Sequence, residues 1–370
     1  MRDEPRAETV GSLLRTPQIA RAAQGGVAAA DAARMLDDAV LEAVALQEDL
    51  GLHVITDGEM RRTSWAQTPR FLDCFAATPG RGVLNWRGGD GGARAPAPGG
   101  TGFGYPAVVR PVADAPRTGS MTDEYAFLAR HAHARTKFTM AAPSYHRRYW
   151  SPEHSRQAYR DCEEFLTDIR DYQRDVIREL IALGCDYIQL DAPNYGSLCD
   201  PDTRARMTAD GRDPEAETIF DAELDSSLFD GLDGVTRALH ICRGNGPAGM
   251  WHSAGGYGAI SGQLFPRLTF DRLLLEYDCD RAGSFEPVAD VRPGTVVVLG
   301  LLTTKSDRLD DSAEIEARIG EAARLKPLAE LAVSTQCGFA SVPGNNPVSA
   351  AGQRAKLELV TRVAERIWPG

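Results

Sequence analysis

No apolar run in this sequence is long enough to cross a bilayer. The longest uninterrupted aliphatic stretches, such as Val296 to Leu299, fall far short of the about 20 residues that a membrane helix needs. No membrane partner is expected. Positive charge is also scarce: Lys plus Arg number 41 against 52 Asp plus Glu, a formal net charge of −11. That balance excludes the concentrated basic surface which a nucleic-acid backbone requires. The seven cysteines are odd in number and scattered, unlike the paired framework of a disulfide-stapled secreted domain, so free thiols are the expectation. The first ten residues, MRDEPRAETV, are charged and hold no apolar core of the secretory type, which reads as a cytoplasmic protein. No internal repeat and no low-complexity tail is visible.

What the chain does have is a recurring alternation. Short β-branched or aliphatic runs, each ending in a polar or glycine cluster, occur at Thr9 to Leu13, His53 to Gly58, Lys137 to Ser144, Tyr187 to Ala192, Arg237 to Asn245, Arg272 to Asp278, Thr295 to Leu302 and Leu331 to Phe339. Several are apolar on both parities, as strands buried on both faces of a parallel sheet must be. Helical spacing predicts amphipathic helices over Asp31 to Leu50, Ser155 to Leu183, Ala313 to Leu325 and Ala350 to Ile367. Eight strands alternating with helices over 370 residues predict an α/β fold, a (β/α)8 TIM-type barrel forming a single catalytic domain over 1–370. An open doubly wound sheet is the alternative. A Gly/Pro-rich stretch at about 76–135 reads as an inserted excursion from the barrel. A second, Asp-rich stretch from Cys199 to Asp233 separates the fourth and fifth strands.

Polar and metal-capable residues fall at the C-terminal ends of these runs: Gly11 and Ser12, Asp57 and Glu59, Asp191, His240 and Cys242, Glu276, Lys305 and Cys337. In a parallel barrel those ends share the face where active sites lie. His240 and Cys242 form the sharpest pair, because residues i and i+2 of a strand point to one side. Cys337 and Glu276 then supply a softer and a harder ligand, and one nitrogen with two thiolates favours zinc over magnesium or calcium. Cys279 competes for a place in that set, with a bystander thiol as the plainer account. A buried small hydrophobe for Cys242 and a satisfied core histidine for His240 would be the bland reading of an isolated H-x-C.

The stretches TVGSLLRT, VITDGEMRR, YIQLDAP, LHICRGN, LLLEYD and STQCGF run in order nearly from end to end. Through them the chain resembles the C-terminal catalytic barrel of cobalamin-independent methionine synthase and its shorter relatives, which include the epoxyalkane:coenzyme M transferases. The resemblance implies that His240, Cys242, Glu276 and Cys337 bind zinc. It also implies that Gly11, Ser12, Glu59 and Asp191 contact a thiol-bearing substrate, the two carboxylates facing its amino group. Two positions depart from the synthase pattern. DAPNYGS places Asn194 and Ser197 where the synthase has an acid, and TTKSD places Lys305 where it has a proton-donating histidine.

These readings predict a zinc-dependent enzyme that moves an alkyl group, most simply methyl, from a donor such as a methylfolate to a thiol such as homocysteine. Lys305 and Asp191 are the expected catalytic groups. Ring opening of an epoxide by a zinc-held thiolate is the alternative, with a cation receiving the alkoxide or a sulfonate. Hydrolysis and a purely structural zinc are further readings. Two thiolates weigh against the first, and the ligands' place on the catalytic face against the second. Arg61, Arg62, Arg147, Arg148 and Arg243 are candidate anion receivers. Trp65, Phe103, Tyr105 and Trp150 are candidate stacking surfaces for a pterin ring.

Overall fold

The computed structural model describes residues 4–78, 86–88, 105–341 and 346–369. Phe103 and much of the predicted excursion lie outside them. Eight parallel strands form the framework: β1 (Ala7–Glu8), β2 (Val54–Ile55), β3 (Arg135–Thr136 and Phe138–Ala141), β4 (Tyr187–Asp191), β5 (Thr236–Ile241), β6 (Arg272–Glu276), β7 (Val296–Leu302) and β8 (Leu331–Thr335). Arg135–Thr136 pairs with β2 and Phe138–Ala141 with β4. These two segments end the hydrogen-bonded order on opposite sides, yet only Lys137 separates them. The chain itself therefore joins the two edges, and the sheet closes as a TIM-type barrel.

Strand parity explains how the interior is filled. On β4, Ile188 and Leu190 face the helices, whereas Tyr187 joins an inner layer with Val54, Ala238, Leu274, Val298 and Ala332. The same inward parity carries Gln189 and Asp191 on β4, His240 on β5, and Arg272 and Glu276 on β6. Register then sets their height, since Asp191 lies opposite His240. A slip of one residue would point all of these away from the axis.

Helices cover the outside much as their periodicity predicts, at Ala29–Asp49, Cys162–Ala182, Ser312–Ala322 and Ala350–Ile367. Asp161, Asp311 and Ser349 cap three of them by accepting the backbone N–H of Glu164, Ala313 and Gly352. Two expectations shift. The ladder of the first strand covers Ala7–Glu8 rather than Thr9 to Leu13, because the chain beyond Glu8 bends over the mouth, where the Leu13 N–H donates to Gly58 O at 3.0 Å. The stretch at about 76–135 contains a regular helix, Thr122–His131, shortly before β3. The Asp-rich stretch folds as two helices, Pro201–Ala209 and Pro214–Ser227, with Asp200 and Asp213 as their N-caps. Among the described residues no helix is long and apolar enough to cross a membrane.

Candidate active site

At the C-terminal mouth lies a cleft walled by Gly11, Ser12, Glu59, Asp191, His240, Cys242 and Cys337 among others. Residues read from separate strand ends thus meet in one place. Glu276 and Lys305 do not line it.

His240, Cys242 and Cys337 are buried, and one ligand atom from each lies within 4.8 Å of the others. His240 and Cys242 arrive by parity. Cys337 follows the end of β8, where a turn swings it inward, its carbonyl accepting the Thr335 hydroxyl at 2.8 Å. That turn is pinned to the β1 loop by the N–H of Ala340, which donates to Ser12 Oγ at 3.1 Å. Contact there is so close that a Cβ on Gly338 would sit 2.2 Å from Ser12 Oγ. His240 Nδ1 lies 3.2 Å from Leu274 O. A proton on Nδ1 satisfies that carbonyl, so the ring presents its Nε2 lone pair to the thiols. Among the described residues that buried Nε2 has no hydrogen-bond partner. A metal-binding imidazole requires this combination, one nitrogen anchored and the other free. A hydrogen bond from the Cys242 thiol pulls the Cys337 thiol well below its ordinary range; burial opposes this and His240 adds to it. The donor set fits a thiophilic divalent metal.

The carboxylate side is held from behind. Glu59 has φ 56°, a left-handed conformation uncommon outside glycine. Its N–H donates to Asp57 Oδ1 at 2.9 Å, and its Oε1 accepts Thr139 Oγ1 at 2.8 Å and lies 3.3 Å from the Arg62 guanidinium. A Cβ on Gly11 would stand 2.6 Å from that oxygen, which is why the loop carries glycine there. Asp191 Oδ1 accepts Gln189 Nε2 at 2.8 Å. Burial raises the Asp191 carboxyl to about 7, with His240 opposing the rise and Glu59 adding to it.

Glu276 is fully buried and faces cations. Its Oε1 accepts Arg281 at 2.5 Å and Lys305 Nζ at 3.3 Å, and its Oε2 accepts the Arg243 N–H at 2.7 Å. Burial pushes its carboxyl up, but Lys305, Arg281 and Arg243 outweigh that and hold it at about 2. Lys305 also stands 3.8 Å from Asp278. Cys279 lies outside the trio, half-buried.

Of the five candidate arginines, Arg148 lines the cleft, stacked over Tyr145 at 5.1 Å. Arg62 is buried against Glu124 and Glu59, Arg243 is stacked on Tyr257 at 4.1 Å, and Arg61 pairs with Asp37. Arg147 pairs with Asp221 in the wall of a second, larger chamber, which also takes Trp150, Asn194 and Ser197 and shares Tyr145 and Arg148 with the cleft. Trp65 and Tyr105 face the cleft. Sequence reasoning missed Trp86, Asn245 and His252 in the cleft wall, and Arg281 beside Glu276. Asn245 ends the fifth run and carried a positional signal. The other three sit on loops, where nothing in the periodicity marks them.

No family model matches the chain. The uncharacterized proteins YxjH and YxjG of Bacillus subtilis are 32% and 31% identical over 375 and 374 residues, covering 98% of this chain and 94% of each of theirs. Among solved structures, a candidate vitamin-B12 independent methionine synthase of Listeria monocytogenes superposes with a TM-score of 0.72 at 27% identity, covering 99% of this chain and 98% of its own. A B12-independent methionine synthase of Shewanella sp. W3-18-1, solved with selenomethionine, shares the fold with a TM-score of 0.70 at 20% identity, over 98% of this chain and 97% of its own. The chain belongs to the cobalamin-independent methionine synthase superfamily, in one family with the two Bacillus proteins.

Proposed function

We propose that the protein is a zinc-dependent alkyltransferase acting on a small thiol, with methyl transfer to an amino-acid thiol such as homocysteine as its simplest form. The observation that carries this reading is the buried trio His240, Cys242 and Cys337 opening into the same cleft as Glu59 and Asp191. A zinc ion held by that trio would bind the substrate's thiol and lower its pKa, so that it is a thiolate near neutral pH. The chain's own residues do the rest. His240, anchored through Nδ1, offers Nε2 as a ligand, and Asp191, tied to Gln189 through one oxygen, keeps the other for an ammonium group. Arg148 stands where the cleft meets the larger chamber and suits an anionic part of the alkyl donor. The sulfur–carbon bond forms as the bond from that carbon to its leaving group breaks, in line and within one enclosed site.

Arg148 also favours a second reading, ring opening of an epoxide by a thiol such as coenzyme M, with the guanidinium receiving the alkoxide or sulfonate. Zinc-loaded protein assayed with homocysteine and coenzyme M, each against methyltetrahydrofolate and an epoxide, separates the two. Methylated homocysteine supports the first and a hydroxyalkyl thioether the second. No S-alkylation from any pair sinks both.

A further inference from the structure

We infer that His252, Ser253 and Ser197 form a proton relay through the wall between the cleft and the larger chamber. Along it His252 Nε2 takes the proton of the substrate thiol and later gives one to the atom that leaves the alkyl carbon. The inference rests on the alkyl-transfer reading and assigns residues to its two proton steps.

The three side chains are joined in order. His252 lines the cleft, Ser197 lines the chamber, and Ser253 is buried between them. His252 Nδ1 lies 2.6 Å from Ser253 Oγ, which lies 3.4 Å from Ser197 Oγ. Each hydroxyl has a single proton, and that fixes the direction of the chain. Ser197 donates to Pro193 O at 3.2 Å, so it accepts from Ser253, and Ser253, its proton thus used, accepts from His252 Nδ1. Nε2 is left as the nitrogen with a lone pair. The ring is also seated with care: the N–H groups of His252 and Ser253 both donate to Arg243 O, at 3.0 and 3.2 Å. Its edge lies over Gly244, another residue of the cleft wall, where a Cβ would stand 2.3 Å from His252 Cδ2 and 2.8 Å from Nε2.

The protons balance without a co-reactant. Burial, with Arg148 adding, takes the His252 ring down to about 3, so at neutral pH it gains a proton on one nitrogen only as it releases that of the other. On thiol binding Nε2 takes the S–H proton, Nδ1–H passes to Ser253, the Ser253 proton to Ser197, and the Ser197 proton to solvent in the chamber. Arg148, 3.5 Å from Ser197 Oγ, disfavours a proton at rest there. The thiolate then forms its S–C bond as the C–N bond of a methylfolate, or the C–O bond of an epoxide, breaks with the electron pair on the leaving atom. That atom takes Nε2–H, and the chain refills inward. Lys305, at the position of the synthase's histidine, does not line the cleft.

Imidazole nitrogen NMR on histidine-labelled protein without substrate reads the resting chain. His252 is expected neutral at pH 7 with its proton on Nδ1, and Ser253→Ala is expected to move that proton to Nε2. A proton on Nε2 in wild type overturns the relay, as does an unchanged ring in the variant. Single turnovers with homocysteine or coenzyme M already bound, whichever wild type accepts, read the return step. With methyltetrahydrofolate or an epoxide as donor, Ser253→Ala and Ser197→Ala are expected to slow transfer about 100-fold, the scale of one general acid, and Ser253→Thr to recover most of it. Methyl iodide releases an ion that needs no proton, so both variants are expected to match wild type with it. Equal slowing with both kinds of donor marks a structural role and overturns the inference, as does no slowing with either. Should Ser253→Ala not fold, Ser197→Ala decides by the same comparison. A wild type that alkylates neither thiol overturns the alkyl-transfer reading and the relay with it, an outcome distinct from an active wild type whose variants lose nothing.

Discussion

The barrel buries ionisable groups at both ends of its axis, and the two ends treat them differently. At the N-terminal end Glu8 accepts Lys137 at 2.7 Å, Tyr187 OH at 2.9 Å and Arg272 at 2.8 Å. Lys137 spends its remaining protons on Thr9 O at 2.6 Å and Gln189 Oε1 at 2.7 Å. At the C-terminal end His240 Nε2 has no partner among the described residues, and two thiols face it. A buried polar group with every bond made is scaffold, whereas one left open is waiting for a ligand. Gln189 connects the two regimes. Because its Oε1 must accept from Lys137, its Nε2 must donate to Asp191, so the lower network orients a carboxylate of the cleft.

The largest effect should come from breaking the lower end. Lys137→Met takes one of two cationic partners from a fully buried Glu8 and is expected to cost about 3 kcal/mol, read as a fall in the urea midpoint with no change in zinc bound per folded chain. At the upper end the pattern should invert. Cys242→Ala and Cys337→Ala are expected to abolish a stoichiometry of one zinc per chain, while the metal-free proteins unfold within about 1 kcal/mol of wild type. Equal destabilisation by both kinds of variant would erase the contrast.

A smaller effect is expected where the two ends meet. Asp191→Asn should weaken binding of an amino thiol by about 1.5–3 kcal/mol, the worth of a hydrogen bond to a charged group, and Gln189→Met by less. A thiol without an amino group should bind each variant as it binds wild type, and calorimetric titration of both thiols checks this.

The smallest difference is in pH dependence, and its sign separates the ends. Burial opposes it, but Lys137 and Arg272 hold the Glu8 carboxyl at about 2 against an ordinary 4.5, so its stabilisation is complete above 4.5 and is lost as pH falls toward 2. The Asp191 carboxyl, raised by burial from 3.8 to about 7, works the other way. In metal-free protein the unfolded chain gives up that proton first, and stability declines as pH rises from about 4 to 7. Asp191→Asn should flatten that decline and leave the acid limb alone, as followed by unfolding midpoints across the range.

Much of the site was legible because its signals are local. H-x-C on a strand puts two donor side chains on one side by parity alone, and the placement of Asp191, His240 and Cys337 at run ends follows from parallel strands sharing one mouth. Gly11 and Ser12 were read as run-end residues, although the ladder stops at Glu8 and they line the cleft from a loop. Cys337 was found by the same rule even though a turn past Thr335, rather than strand parity, aims it. Lys305 and Glu276 mark the limit. Each sits at or just past a run end, but which way a long side chain points depends on what charge it meets, and Arg281 lies in the short turn after β6, whose position no periodicity reports.

The sequence by itself determined the barrel, the inward parity of His240, Cys242, Asp191 and Glu276, and the soft donor set, since these depend on the period of a strand and the chemistry of side chains. Only the tertiary structure decided that Lys137 closes the barrel between two half-strands, that Trp86 and His252 wall the cleft, and that Glu276 is met by Arg281 and Lys305. Those outcomes rest on ion pairing and packing of turns and loops, most of them distant in sequence, where burial makes each unpaired charge costly and so selects the partner that the fold brings within reach.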